Sequence, residues 1–368
     1  MRLMISGGGT GGHVYPALAV VQTLDTATKI LWVGSADGME RSLVERAGIP
    51  CRGIAAAGLR GKNPLKQIAG LLKLGRGYLQ SRSLLNNYKP DVLFVTGGYV
   101  CAPMTLAACR QKIPILIYLP DIQPGQAIKF LSRYATRVAV TAPPAQDHFP
   151  QGLTVVSGYP VRADLYATDP FAARKRLNLD ADRPVLLVFG GSQGARSINK
   201  AIAAPEALQR LLSQAQIIHV SGKLDVDWTQ AAREALPETL KAHYHLYPYL
   251  HDEMVAALAA ADLIISRAGA SILGEATAVG APSILVPYPH SGAHQWPNAQ
   301  YLADKGAALI VKDADLQEAL VDTVLSLLED SAHRKQMSAA ALKLAKPNAA
   351  RVIAQQIELL AKEKNGKR

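Results

Sequence analysis

Leu3-Met-Ile-Ser-Gly-Gly-Gly-Thr-Gly-Gly-His13 and Val185-Leu-Leu-Val-Phe-Gly-Gly-Ser-Gln-Gly-Ala-Arg196 are the two stretches that decide the fold. Each is a short apolar run that breaks into glycines and then enters a helical pattern. Glycines permit the tight strand-to-helix turn and let the backbone approach a phosphate, while the helix start offers unpaired N–H groups to it. Working outward, strand candidates alternate with helical stretches along the whole chain. The first series is Leu3–Ser6, Ile30–Val33, Val92–Thr96, Ile115–Tyr118 and Val138–Thr141. The second is Val185–Phe189, Ile217–Ser221, Leu263–Ser266 and Ser283–Val286. None alternates apolar with polar, as expected of parallel strands covered on both faces. The restart at Val185 predicts an α/β chain of two Rossmann-like parallel-sheet domains facing a central cleft. Residues 1–160 form the first and 161–344 the second, with the linker at Ser157-Gly-Tyr-Pro-Val-Arg162. The stretch from Ser331 reads as helix with a break near Pro347, and Lys362–Arg368 as a frayed basic tail.

The 368 residues hold 40 Lys+Arg against 29 Asp+Glu, a net charge of +11, and 49% of them are hydrophobic. That composition excludes a disordered chain. Three cysteines without a CxxC pair exclude a disulfide scaffold or a thiolate zinc site, and fit a reducing compartment. No apolar run reaches the roughly 20 residues of a membrane span, and the glycines after Ser6 exclude a signal peptide, so the chain reads as soluble. The charge is uneven. Residues 1–160 carry 17 basic and 7 acidic residues, and residues 161–368 carry 23 and 22. Residues 46–90 contain nine basic residues and no acid, which calls for a negatively charged partner.

Gly7, Gly9 and Gly12 satisfy G-x-G-x-x-G after a strand, but that fingerprint also requires an acid at the end of the second strand to hold a ribose. Here the second strand ends Val33-Gly34-Ser35 and Asp37 comes late, which argues against a nicotinamide cofactor. His13 follows the glycines directly. It reads either as a base near neutral pH or as a histidine capping or packing beside the loop. Thr96-Gly97-Gly98-Tyr99-Val100 is a further glycine loop or a tight turn. Glu275 falls inside the helix after Ser266-Arg-Ala-Gly-Ala270 and reads as a ligand for sugar hydroxyls or as a solvated glutamate. His294-Gln-Trp-Pro-Asn298 supplies amides suited to hydroxyl groups. Asp225-Val-Asp227 and Asp313-Ala-Asp315 spell D-x-D but read better as surface turns or helix starts, so neither metal nor cofactor is expected. In the basic stretch Leu65, Ile68, Leu71, Leu72 and Leu79 recur near helical spacing among Lys66, Lys73, Arg76 and Arg82. An amphipathic surface helix and a membrane-surface element both fit, and the scarcity of aromatics argues against nucleic acid. Gly70, Gly75 and Gly77 weigh against one long helix.

Taken in order, these motifs resemble the MurG family, the undecaprenyldiphospho-muramoylpentapeptide N-acetylglucosaminyltransferases of glycosyltransferase family 28. The resemblance runs over essentially the full length. It rests on Gly8-Gly-Thr-Gly-Gly-His13, Thr96-Gly-Gly-Tyr-Val100, Gly158-Tyr-Pro-Val-Arg162, Gly190-Gly-Ser-Gln-Gly-Ala-Arg196, Ser266-Arg-Ala-Gly-Ala270 and Gln295 with Asn298. It implies a GT-B fold whose final helix, from about residue 345, returns to the first domain. It also implies inverting, metal-independent transfer of GlcNAc from UDP-GlcNAc to the 4-hydroxyl of a muramoyl-pentapeptide diphospho-lipid in cell wall synthesis. By that resemblance His13 is the catalytic base, and Thr10, Gly11 and Gly12 lie close to the donor. Arg162 and Ser192 hold the donor diphosphate, the backbone near His251 meets the uracil, and Gln295 takes the sugar hydroxyls. Glu275 takes the ribose hydroxyls, Ala270, Ser271, Ile272, Leu273 and Gly274 before it also bind the donor, and Gly97, Gly98 and Tyr99 form the acceptor or diphosphate loop. The expected place of work is the cytoplasmic face of the inner membrane, as a peripheral protein on anionic lipid. Where many members carry His-Glu-Gln-Asn, this chain has Tyr118-Leu-Pro-Asp121, so a donor contact there passes to Asp121. A nucleotide-sugar epimerase of the same two-domain architecture and a catalytically silent donor-binding subunit are the rival expectations.

Overall fold

The computed structural model describes residues 1–58, 64–191, 194–289 and 294–366, with the backbone alone at 64–66. The chain forms two compact units, Met1–Val161 with Asn348–Arg368, and Arg162–Pro347. The first holds a seven-stranded parallel sheet of β1 (Arg2–Gly7), β2 (Lys29–Ser35), β3 (Cys51–Ile54), β4 (Val92–Gly97), β5 (Ile115–Leu119), β6 (Arg137–Val140) and β7 (Thr154–Val156). Its order is β3-β2-β1-β4-β5-β6-β7. The second holds six parallel strands, β8 (Val185–Phe189), β9 (Gln216–Val220), β10 (Tyr244–Tyr247), β11 (Leu263–Ser266), β12 (Ser283–Leu285) and β13 (Ala308–Ile310), in the order β10-β9-β8-β11-β12-β13.

Helices cover both faces of each sheet, which is why the central strands β4, β5 and β8 are buried at every position. Met4, Leu93, Val95, Ile115 and Ile117 anchor the core of the first unit, and Leu186, Val188, Ile217, Ile265 and Ile284 that of the second. Each such side chain stabilises its unit by about 1.5–3 kcal/mol. Both sheets reverse their strand order once, between β1 and β4 and between β8 and β11. At such a switch point the loops leaving the two adjacent strands diverge, opening a crevice at the carboxyl ends. The two glycine loops of the first unit leave β1 and β4. Gly190 and Gly191 follow β8, and the Ser266–Ala270 segment leaves β11.

All nine expected strands are present, and the four not foreseen are β3, β7, β10 and β13, the two edges of each sheet. An edge strand is paired and covered on fewer sides, so its burial is partial, and of the four only β13 lies in a continuous apolar run, Ala307–Val311. Helices Ser331–Leu344 and Ala349–Asn365 flank the break at Pro347. Residues 362–365 are helical rather than frayed, because Lys364 Nζ donates to Pro90 O at 2.6 Å.

The glycines of the basic stretch do not interrupt it: Pro64–Tyr88 is one helix of 25 residues. Gly77 faces inward, where a Cβ would stand 2.1 Å from the Ala55 carbonyl oxygen, and Gln80 Oε1 accepts the Ala55 N–H at 2.8 Å. The helix therefore needs glycine at that position to approach the end of β3. Gly75 faces open space. Gly77→Ala is expected to destabilise the first unit by about 1–3 kcal/mol through overpacking. Gly75→Ala is expected to stabilise it by up to about 1 kcal/mol. Paired thermal melts of the two variants check the opposite signs.

Candidate functional site

At the first switch point β1 and β4 run into their glycine loops side by side, with Gly7 opposite Gly97. Gly8 N–H donates to Gly97 O at 3.1 Å. A Cβ on Gly98, whose φ is +94°, would fall 2.4 Å from Gly8 O, so only glycine fits there. His13 is the third residue of helix Gly11–Val21 and is half-buried. Its Nδ1 lies 2.8 Å from Gly8 O and 3.4 Å from Thr10 Oγ1. A carbonyl oxygen only accepts, so Nδ1 carries the proton and Nε2 of the neutral ring keeps its lone pair. The ring packs on Gly97, where a Cβ would come within 2.7 Å of Nε2. The fold thus brings Gly97, Gly98, Thr10, Gly11, Gly12 and His13 together. Thr10 stands at the N-cap with its side chain off the backbone N–H groups. Tyr99 is exposed beside them, and Asp121 is half-buried beyond the carboxyl end of β5, also in the first unit.

One residue of this site escaped the sequence reading. Glu40 is fully buried, with Oε1 accepting the Ser35 N–H at 2.6 Å and Oε2 accepting the Gly9 N–H at 3.1 Å. A Cβ on Gly8, Gly34 or Gly38 would stand within 2.8 Å of its carboxylate. The signal was the run of glycines around an acid a few residues past β2. The consequence is that the N–H of Gly9 is occupied by the protein's own anion. A ligand phosphate brought to Gly9 would meet that negative charge, so this loop is not a dinucleotide cradle despite its spelling.

In the second unit Arg162 lies between Asp164 and Asp252, at 3.7 and 3.6 Å. Glu275 is in the first turn of helix Ile272–Val279. Burial pushes its carboxyl up, while a hydrogen bond with Ser271 and the charge of Arg162 pull it down. Arg162, Ser271 and Glu275 are therefore brought together. Ala270 is half-buried beside them, whereas Ile272 and Leu273 point into the core at 1% and 6% exposure. Any ligand contact of those two, and of buried Gly274, goes through the backbone. Gln295 Oε1 accepts the Tyr288 N–H at 2.9 Å, leaving its amide NH₂ as a donor. Asn298 Nδ2 donates to Ala268 O at 3.0 Å, tying helix Gln295–Asp304 to the loop after β11. His251 is exposed, with its ring against Tyr249 at 4.6 Å. Ser192 lies outside the described residues.

The glycine turn after β8 is supported from beneath. A Cβ on Gly194 (φ +80°) would meet Ser221 O at 2.2 Å. The same carbonyl accepts from Asn199 Nδ2 at 2.7 Å. Asn199 also bonds Asp225 at 2.9 Å and His219 Nε2 at 3.0 Å, while His219 Nδ1 meets the Tyr244 hydroxyl at 2.6 Å. Arg196 closes the set on Asp225 at 2.8 Å. Both D-x-D segments stand at helix starts, as one of the two expected readings has it, with Asp225 before helix Val226–Glu234 and Asp313–Asp315 before helix Leu316–Glu329, but their first acids are not free. Asp225 is 3% exposed within this network, and Asp313 is held by Arg267 at 2.5 Å and Ser197 at 2.7 Å. Among the described residues no group of three or more His, Cys, Asp or Glu is arranged to hold a metal.

Two parallel-sheet α/β units with glycine loops at both switch points define a glycosyltransferase-type architecture, and the likenesses to known proteins agree. The models of the glycosyltransferase family 28 N-terminal and C-terminal domains match residues 3–140 and 185–357. A UDP-N-acetylglucosamine–N-acetylmuramyl-(pentapeptide) pyrophosphoryl-undecaprenol N-acetylglucosamine transferase of Roseiflexus sp. is 40% identical, over 98% of this chain and 95% of that protein. The crystal structure of Acinetobacter baumannii MurG superposes with a TM-score of 0.75 at 31% identity, covering 97% of this chain and 99% of that one. A UDP-GlcNAc 2-epimerase from Neisseria meningitidis, at 13% identity, TM-score 0.66 and coverage of 97% and 99%, shares the fold. The chain belongs to glycosyltransferase family 28 and is an enzyme of that class.

The buried network beneath the second glycine segment is expected to make this unit acid-sensitive. Burial lowers the His219 pKa from 6.5 to about 3, with Asp225 pulling weakly the other way. Protonation therefore favours the unfolded chain. The stabilising effect of neutral His219 is complete above the unfolded value and is lost as pH falls toward the folded one. Urea unfolding should show stability dropping by about 1.4 kcal/mol per pH unit within that window. His219→Gln should flatten the slope.

Proposed function

We propose that this chain transfers N-acetylglucosamine from UDP-N-acetylglucosamine to the 4-hydroxyl of a muramoyl sugar carried on a pentapeptide-bearing undecaprenyl diphosphate, with inversion. The observation that carries the reading is His13, whose Nδ1–H is pinned to Gly8 O and whose Nε2 keeps its lone pair. Nε2 takes the proton of the acceptor hydroxyl as its oxygen attacks the anomeric carbon. The bond from that carbon to the diphosphate breaks, and its electron pair leaves with UDP. Arg162 meets the charge that develops on the diphosphate, aided by the Ser192 loop. Glu275 accepts from the ribose hydroxyls, the Gln295 amide donates to the sugar, and Asp121 accepts a hydroxyl. The backbone near His251 meets the uracil, and Gly97, Gly98 and Tyr99 border the acceptor. The printed names of the relatives support the donor and acceptor assignments.

Labelled UDP-GlcNAc, EDTA and a lipid-linked muramoyl-pentapeptide acceptor are expected to give a disaccharide-lipid. Absence of that product, or conversion of UDP-GlcNAc alone to its 2-epimer, would overturn the proposal. His13→Ala should lower kcat by about 10²–10⁴ with the donor KM within about twofold. Arg162→Ala should lower kcat as well as raise the donor KM, because the charge it meets grows as the diphosphate leaves.

The basic half supports a peripheral position at the cytoplasmic face of the inner membrane. Helix Pro64–Tyr88 turns Gly70, Gly77 and Ser81 inward and leaves Ile68, Leu71, Leu72 and Leu79 between 56% and 71% exposed. Lys73, Arg76 and Arg82 stand exposed around them. Arg60 and Lys62 lie outside the described residues, as do the side chains of Leu65 and Lys66. No described helix is long and apolar enough to cross a membrane. Leucines facing out among cations suit the plane of an anionic bilayer. Replacing Lys73, Arg76 and Arg82 with Gln should weaken binding to phosphatidylglycerol vesicles by about 1 kcal/mol each, an effect that high salt should reproduce. Binding indifferent to both would remove the lipid reading.

A further inference from the structure

We infer that Glu40 is the positioning residue of His13 and acts through the peptide group between Gly8 and Gly9. This deepens the reading of His13 as the base and rests on it. The N–H of that peptide belongs to Gly9 and donates to Glu40 Oε2 at 3.1 Å. Its carbonyl belongs to Gly8 and accepts from His13 Nδ1 at 2.8 Å. No peptide bond among the described residues is cis, so the two hydrogen bonds leave opposite sides of one planar unit. Carboxylate, peptide and imidazole therefore lie in series. A carboxylate accepting from the N–H polarises the amide and adds negative charge at its oxygen, which strengthens the bond from the imidazole. That fixes the Nδ1–H tautomer, aims Nε2 away from Gly8, and stabilises the imidazolium formed when Nε2 accepts a proton. A carboxylate bonded directly to histidine does the same work in hydrolytic triads; here it stands one peptide away.

The surroundings are built for this carboxylate. Glu40 is 0% exposed and its other oxygen is held by the Ser35 N–H at 2.6 Å. Cβ atoms on Gly8, Gly34 and Gly38 would lie 2.3, 2.8 and 2.2 Å from its Oε1, so three glycines clear the space it fills. Both oxygens face backbone donors. A glutamine in its place has one oxygen for two N–H groups and no charge to polarise the peptide.

The test uses the full chain labelled with ¹⁵N-histidine, His13 being assigned by the signal lost in His13→Ala. The wild type is expected to show His13 as the Nδ1–H tautomer. A predominant Nε2–H form overturns the inference without any Glu40 variant. Glu40→Gln should mix the tautomers and lower kcat about tenfold or more, with the donor KM within about twofold. Glu40→Asp, which keeps the charge, should recover part of both. Adding Glu40→Gln to His13→Ala should cost no further turnover. A tautomer unmoved by Glu40→Gln, or a full additive loss in the double variant, shows a general support for the loop and overturns the proposal. Full turnover by His13→Ala would instead sink the base assignment, a separate failure because the tautomer is read without substrate.

Discussion

In each unit a backbone carbonyl occupies the space that any side chain would need. Gly8 O stands 2.4 Å from the Cβ position of Gly98, and Ser221 O stands 2.2 Å from that of Gly194. Both contacts lie at carboxyl ends of neighbouring strands, where the loop leaving one strand packs on the segment after the other. Backbone against backbone is the closest packing a chain can adopt, and it holds the loops without long side chains between them. Everything placed at these ends inherits that rigidity. The imidazole of His13 takes its orientation from the carbonyl that Gly98 approaches, and the helix after Gly194 is tied through Asn199 to the carbonyl that Gly194 approaches.

What was legible in the sequence follows from burial. Central strands covered on both faces are written as unbroken apolar runs such as Val185-Leu-Leu-Val-Phe189, and all of these were readable. Edge strands such as Cys51–Ile54 have two exposed positions out of four and leave no such run. The helix at Pro64–Tyr88 reads as broken because propensity counts its glycines as losses, whereas packing uses Gly77 for contact with β3. His13 and the glycine loops were visible because ligand approach and tight turns need those residue types in that spacing. Glu40 was not, because the glycines around it, Gly34 and Gly38, read as ordinary turn residues until the fold brings the acid under Gly9. The side chains of Ile272 and Leu273 serve the core, which leaves only their backbone for the role that the resemblance implies.

The two units solve different electrostatic problems. The first concentrates positive charge on an outward helix and buries one carboxylate beneath its glycine loop. The second balances its charges almost one for one and ties several inside, with Arg196 on Asp225 and Arg267 on Asp313. Against that background Glu275 stands out, because burial acts against its charge and a hydrogen bond with Ser271 and the charge of Arg162 offset this only in part. A group kept at some cost to stability beside a strand end fits a site selected for binding rather than for packing.

The helix Ala349–Asn365 belongs to the first unit, although the whole of the second lies between it and the rest of that unit in the chain. Its Arg351 donates to Thr23 O at 3.1 Å, and its Lys364 reaches Pro90. During synthesis the continuous second unit emerges complete while the first still lacks its last helix. The unit that carries His13 is therefore the one that closes later. A chain stopped short of that helix would keep its second core whole and leave part of the first core open to water. The topology sets the order of emergence: the part that holds Arg162 and Glu275 is synthesised whole first, and the part that holds His13 is completed by helix Ala349–Asn365.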